Sequence, residues 1–207
     1  MKLTRSAWLA GCIAFAPCTL ALAKDLPSFT VLSRSVDGAA KHRTVPQFSL
    51  VERSGRKITL SQLRGKIWIA DFIYTSCTDT CPLQTADMAR LQDRWRNESD
   101  LELVSFSVDP ARDTPQVLSR YARQFKADPQ RWLFLTGDRP EIVRLIEDGF
   151  HLAVAPVSAA NRSSELILHS PRFVLVDRQG QIRGYYDNRD AKARQRLNED
   201  VSKLLRD

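Results

Sequence analysis

The sequence predicts a layered α/β protein with a central sheet flanked by helices, and three observations carry that prediction. Residues 67–74 form an almost unbroken apolar run, the pattern of a strand buried on both faces. From there to Asp148, strand-like runs alternate with stretches of helical spacing. The chain then closes on a hairpin and an amphipathic helix.

The elements follow in order. Residues 45–60 read as a hairpin: Phe48-Ser49-Leu50-Val51, a Ser54-Gly55 turn, then Ile58-Thr59-Leu60. After the 67–74 strand and Cys81-Pro82, the apolar positions Leu83, Ala86, Leu91 and Trp95 recur at near-helical spacing as far as Asn97. Residues 101–108 form the next strand. Thr114-Pro115 supplies an N-cap and a first-turn proline for a helix to about Lys126. A short strand is expected at 132–135, and Asp138-Arg139-Pro140 caps a helix to about Asp148. Residues 156–165 are a polar loop. Strands at 172–176 and 181–186 pair across Asp177-Arg178-Gln179-Gly180, and the last helix covers 191–205. No internal repeat is evident.

The first residues read as an export signal. Lys2 and Arg5 precede an uncharged, mostly apolar stretch, 7–23, that ends in the small-x-small site Ala21-Leu22-Ala23. Cleavage after Ala23, an uncleaved membrane anchor, and a lipoprotein at Cys12 of Leu9-Ala10-Gly11-Cys12 are the competing outcomes. All three place the folded part outside a bacterial cytoplasm, in the periplasm, soluble or tethered to the inner membrane. The expected organisation is thus 1–23 signal or anchor, 24–44 linker, and 45–207 a single domain large enough for its own core. Without Lys2 and Arg5 the net charge falls from +7 to +5. That charge is too modest and dispersed for nucleic acid; it suits solubility, an anionic membrane face or an acidic partner.

Cys77 and Cys81 are the only cysteines outside the leader. They follow the central strand in Phe72-Ile73-Tyr74-Thr75-Ser76-Cys77-Thr78-Asp79-Thr80-Cys81-Pro82, and on a helical first turn both sulfurs would share a face. Two converging thiols are a redox pair or two soft ligands for Cu(I) or Zn(II). A purely structural bridge would close a very short loop and gain little. The helix N-terminus favours thiolates, whereas Asp79 opposes them by like-charge repulsion, which a bound cation would offset. Asp109 and Asp113, in Ser107-Val108-Asp109-Pro110-Ala111-Arg112-Asp113-Thr114-Pro115, end a strand on the same side of the sheet; turn chemistry accounts for most of this segment, and a supporting or docking role is the functional alternative. Of three histidines, His42 belongs to the linker, His151 reads as a surface residue, and His169 stands at a strand edge. Met88 reads as core. The sequon Asn161-Arg162-Ser163 carries no more than chance weight. The peroxidase pattern P-x-x-x-[TS]-x-x-C fails: Thr75 stands two residues before Cys77 and Asp71 six before it, which does not fit that spacing.

Three motifs in this order resemble the SCO/SenC family of thioredoxin-fold copper proteins: 72–82 with its C-x-x-x-C-P core, Ser107-Val108-Asp109-Pro110 with Asp113-Thr114-Pro115, and His169-Ser170 before Phe173-Val174-Leu175-Val176-Asp177. The resemblance runs from about Val45 to the C-terminus. It implies a thioredoxin-like fold carrying the 45–60 hairpin as an N-terminal extension, and copper held by Cys77, Cys81 and His169. It further implies copper delivery to, or reduction of the cysteines of, the CuA site of cytochrome c oxidase, or another periplasmic copper or dithiol protein as partner. The alternative on the same residues is a thiol-disulfide oxidoreductase without obligatory copper. The chain departs from the family pattern with Thr78 after the first cysteine and Leu166-Ile167-Leu168 before the histidine. Pro171 is a candidate for the cis-proline that faces the dithiol in thioredoxins.

Overall fold

The fold is organised around β3 (Ile67–Ile73), all seven of whose residues are buried. A computed structural model describes residues 43–78, 80–152, 154–156, 166–168 and 171–207. The chain divides into two units, 1–32 and 33–207, and every described residue lies in the second.

β3 runs parallel to β4 (Leu101–Ser107), in register from Ile67 opposite Leu101 to Ile73 opposite Ser107. β5 (Trp132–Thr136) continues the parallel set beside β4. The hairpin β1 (Ser49–Glu52) and β2 (Lys57–Thr59) turns through Gly55, at φ +89°, and β1 adds antiparallel to β5. On the other side, β8 (Arg172–Val176) lies antiparallel to β3 and β9 (Ile182–Asp187) antiparallel to β8. The order β2-β1-β5-β4-β3-β8-β9 is one mixed sheet. The expected N-terminal hairpin is therefore an edge of the main sheet.

Alternation along β3 divides the core in two. Trp68, Ala70 and Phe72 face a cluster with Phe48, Phe106 and Phe150. Ile67, Ile69 and Ile73 face α2 (Thr80–Arg94), α3 (Pro115–Gln124) and α5 (Ala191–Arg206), which contribute Met88, Leu91, Leu118, Leu197 and Val201. Met88 is core, as its spacing implied. Thr114 caps α3 as expected, its Oγ1 accepting from Val117 N, and Asp190 caps α5, accepting from Lys192 N at 2.9 Å; Asp138, expected to cap the helix after β5, stands at its N-cap without a side-chain hydrogen bond.

Three features depart from the sequence reading. A single turn, α1 (Leu60–Leu63), follows β2, with Thr59 N–H donating to Gln62 Oε1 at 2.8 Å. The helix expected over 138–148 is α4 (Arg139–Arg144) followed by a π-helical turn, Leu145–Gly149, in which Phe150 N–H reaches back to Leu145 O. The wider turn brings Leu145, Ile146 and Phe150 together against the sheet. Its end is tight: a Cβ on Gly149 would stand 2.8 Å from Pro46 Cδ, and His151 follows at φ +51°. Finally, β6 (Val154–Pro156) and β7 (Leu166–Leu168), for which no strand was expected, pair as a separate two-stranded sheet on either side of the 156–165 segment.

At its start the described chain is pinned to the β8–β9 turn. Val45 N–H donates to Gly180 O, and Arg43 O accepts from Ile182 N, both at 2.9 Å. Because Val176 lies opposite Trp68, that turn sits at the beginning of β3. Among the described residues no helix is long and apolar enough to cross a membrane.

Candidate metal and redox site

The two cysteines meet where β3 gives way to α2. After Ile73 the backbone turns, with Cys77 N–H donating to Tyr74 O at 3.2 Å. Cys81 is the second residue of α2, and its N–H donates to Cys77 Sγ at 3.4 Å. Both side chains are buried. The expectation that both lie on one helical turn is corrected here: α2 starts only at Thr80, so Cys77 belongs to the preceding loop. The sulfur is brought over the helix start by the 74–77 turn and accepts from one free first-turn amide, that of Cys81.

Burial dominates the electrostatics of Cys81. It pushes the thiol up to about 12; a hydrogen bond from the Tyr74 backbone opposes this, while the hydrogen bond to Cys77 and the charges of Cys77 and Asp71 add to it. For Cys81 the helix N-terminus is thus outweighed by desolvation, and the proton leaves only to a cation or a base. Behind it, Thr85 Oγ1 donates to Cys81 O at 2.9 Å and lies 2.8 Å from Tyr121 Oη. Since the Thr85 proton is committed to Cys81 O, the Tyr121 hydroxyl is the donor in that second contact.

Asp113 ties the cysteine loop to the sheet. It is fully buried and accepts from Thr75 Oγ1 at 2.5 Å, Thr75 N at 3.2 Å and Ser107 Oγ at 2.6 Å. Thr75 stands two residues before Cys77, so Asp113 positions the loop. Burial raises its carboxyl above the ordinary range, against the lowering effect of these donors. Asp109, also buried, pairs with Arg112 at 3.3 Å and closes the turn through Arg112 N–H and Asp113 N–H to its carbonyl.

A further carboxyl, on the strand that leads to the cysteines, acts on Cys81 through its charge. Asp71 is fully buried in the middle of β3; Ser105 Oγ donates to its Oδ1 at 2.5 Å and itself accepts from Trp132 Nε1 at 2.9 Å. The sequence reading used Asp71 only to exclude a peroxidase. A lone acid inside an apolar strand was the available signal.

Of the predicted site residues, the structure brings together Cys77 and Cys81 and supports their loop from Asp113. His169, Asp79, His42, the Asn161 sequon and the Ser170–Pro171 bond lie outside the described residues. Among the described residues, no three His, Cys, Asp or Glu side chains converge as a metal site. His151 is exposed, as expected. Leu83, two residues after Cys81, is 67% exposed in the first turns of α2.

The SCO1/SenC family profile matches residues 36–206. A SCO1 protein homolog of Bacillus subtilis is 33% identical over 140 residues, covering 67% of this chain and 70% of its own length. Two solved structures share the fold. BsSco, described as a member of the Sco family of cytochrome c oxidase assembly proteins with a disulfide switch, superposes with a TM-score of 0.68 at 28% identity, over 82% of this chain and 97% of its own. Arabidopsis thaliana ScoI with copper bound superposes at 0.66 with 26% identity, over 79% and 98%. The thioredoxin-like architecture expected from the resemblance is thus the architecture observed, and the chain belongs to the SCO1/SenC family of thioredoxin-fold copper-binding proteins.

Proposed function

We propose that the chain is a copper metallochaperone that takes Cu(I) or Cu(II) as cargo on Cys77, Cys81 and His169. One observation carries the reading: two sulfurs buried side by side at the start of α2, joined through Cys81 N–H and Cys77 Sγ. The donor chemistry fits. Two thiolates make a soft pair for Cu(I), and an added imidazole gives the set that suits copper in both oxidation states. Family membership supports the reading, as does the copper-bound relative. Cys77 and Cys81 would hold the ion, Asp113 would fix the Cys77 loop, the buried Asp109 would close the turn that carries Asp113, and Asp79 would serve the ion or a partner. The proposed recipient is the CuA site of cytochrome c oxidase, or another periplasmic copper or dithiol protein, reached from a soluble or membrane-tethered position outside the cytoplasm.

Titration of the reduced full-length chain with Cu(I), in competition with a chromophoric chelator, tests this. One copper per chain is expected. Stoichiometric binding by a Cys77→Ser/Cys81→Ser chain would overturn the assignment. His169→Ala should abolish most of the thiolate-to-Cu(II) absorption while weakening Cu(I) less, since Cu(I) tolerates two ligands. An unchanged Cu(II) spectrum removes His169 from the site.

The second reading is a thiol-disulfide oxidoreductase acting on partner cysteines. The buried carboxyl of Asp71 behind Cys81 favours it, because metal binding alone gives that acid no task.

A further inference from the structure

A cavity of about 340 Å³ opens between the later turns of α2 and the first half of α5, with neither cysteine in its lining. Its floor is apolar and buried, made by Leu91, Leu197 and Phe173 of β8. Its rim carries three guanidinium groups, Arg90, Arg94 and Arg194, against a single carboxylate, Asp87. That carboxylate is taken by Arg90 Nη1. The other two arginines are placed by neutral groups. The Arg94 guanidinium carbon stands 5.4 Å from the centroid of the Trp95 ring, and Arg194 Nη1 donates to the backbone oxygen of Asn188. Among the described residues neither makes an ion pair, so the rim keeps two positive charges in excess. The two helices are laced together at the wall. Trp95 Nε1 donates to Asn198 Oδ1 at 3.1 Å, and Asn198 Nδ2 donates to Arg194 O at 2.8 Å. The site is therefore formed before anything enters it.

An apolar floor under a cationic rim selects an occupant that is apolar at its tip and anionic around it. An inorganic anion leaves the floor unfilled, and an uncharged apolar group gains nothing from the guanidiniums. The volume, at the low end of the ~300–1,000 Å³ of ligand sites, suits one aromatic or leucine side chain and the backbone beside it. The surface of α2 shows where such a group comes from. Leu83, Asp87, Arg90 and Arg94 follow one another at spacings of four, three and four, and so form one stripe along the helix. The stripe starts two residues after Cys81 with Leu83, the one large apolar side chain exposed among the described residues. It ends at the cavity, about 16 Å further on. A protein that meets the dithiol overlies the start of α2 and Leu83 with it, and along the stripe it reaches the cavity. A bilayer presents anionic headgroups outermost with apolar chains beneath them, the reverse of the order this cavity takes. A second copy of the chain brings the same excess of positive charge, +7 overall.

We propose that this cavity docks an acidic segment of the protein that the dithiol serves. An apolar side chain of the partner sits on Leu91, Phe173 and Leu197, and carboxylates flanking it pair with Arg90, Arg94 and Arg194. The inference rests on the reading that the dithiol acts on a protein partner, and it is the same whether that partner receives copper or electrons. Asp87 holds Arg90 in place but subtracts from the rim charge, so it lowers the affinity of the site.

The probe is a fluorescently labelled peptide with one phenylalanine between pairs of glutamates, its binding to the reduced, metal-free full-length chain followed by anisotropy. Binding should weaken at least tenfold in an Arg90→Glu/Arg94→Glu chain, where both residues are exposed. It should tighten at least threefold in Asp87→Asn, which a folding defect does not do. Alanine in place of the phenylalanine should cost at least fivefold, and lysines in place of the glutamates should abolish binding. No binding of the glutamate peptide below about 1 mM overturns the proposal, as does equal affinity in the parent and both variants. Binding of phosphatidylglycerol vesicles that Arg90→Glu/Arg94→Glu abolishes, with no binding of the peptide, overturns it in favour of a membrane site. The copper reading fails separately. Arg90→Glu/Arg94→Glu should still take up one Cu(I), and Cys77→Ser/Cys81→Ser should still bind the peptide. A parent chain that binds the peptide but no copper overturns the copper reading alone. Loss of the peptide in the cysteine variant would place it on the dithiol and overturn the docking site.

Discussion

Replacing Asp71 by Asn should change how stability depends on pH. In the unfolded chain Asp71 titrates as an ordinary carboxyl near 4, whereas in the fold burial lifts it to about 7. Below pH 4 both states are protonated and the group costs folding nothing. As pH rises from 4 to 7 the unfolded chain gives up the proton while the folded chain keeps it. Stability therefore falls by ~1.4 kcal/mol per pH unit, to a loss of roughly 4 kcal/mol that is complete above 7. Asn does not ionise, and any fixed cost of its amide cancels when each chain is compared with itself at two pH values. Asp113 and Glu102, raised by burial in the same sense, tilt both chains alike. Between pH 5 and pH 8 the parent should thus lose about 3 kcal/mol more than the variant. Urea unfolding of both full-length chains at four pH values would show this as a midpoint difference of about 1 M or more. Stability curves parallel to within about 0.5 kcal/mol would refute a raised carboxyl at this position.

Asp113→Ala leaves the Thr75 N–H, the Thr75 hydroxyl and the Ser107 hydroxyl without their acceptor. It should cost about 2–4 kcal/mol and speed amide exchange at 74–78; an unchanged urea midpoint and exchange pattern would contradict the anchoring role. Phe150→Ala empties the centre of a cluster whose ring centroids lie 5.0 Å from Phe72, 5.4 Å from Phe106 and 6.0 Å from Trp68. A loss of about 3–5 kcal/mol is expected by chemical denaturation, and one below about 1.5 would mean this face is loosely packed. His151→Gly relieves a left-handed backbone at φ +51° and should raise stability by about 1 kcal/mol; a decrease would show that the imidazole holds a contact of its own.

The parts of the fold that were legible are those whose signal is local. β3 announces itself because all of its residues are buried, and α3 because Thr114-Pro115 marks its first turn. The dithiol was legible because no other cysteine lies outside the leader. What stayed hidden depends on partners distant in sequence. Ser105 reaches Asp71 across 34 residues and Trp132 reaches Ser105 across 27, pairings set by the β3–β4–β5 register. The sequence marks Asp113 for a supporting or docking role but not its partner, because Thr75, its main donor, is 38 residues away. The π-helical turn at Leu145–Gly149 keeps the apolar spacing of an ordinary helix, so periodicity could not separate the two.

The pinning of Arg43 and Val45 to the β8–β9 turn has a mechanical consequence. That turn adjoins the beginning of β3, and the cysteines follow its end. Seven residues of strand at ~3.3 Å each separate the two points by about 20 Å. Tension arriving through the backbone ahead of Arg43 is therefore carried by the edge pair β8–β9 at one pole of the sheet. A molecule approaching Leu83 and the cysteines works at the other pole. The point where residues 43–45 join the sheet and the dithiol thus stand a strand length apart, so a load on the first does not act directly on the second.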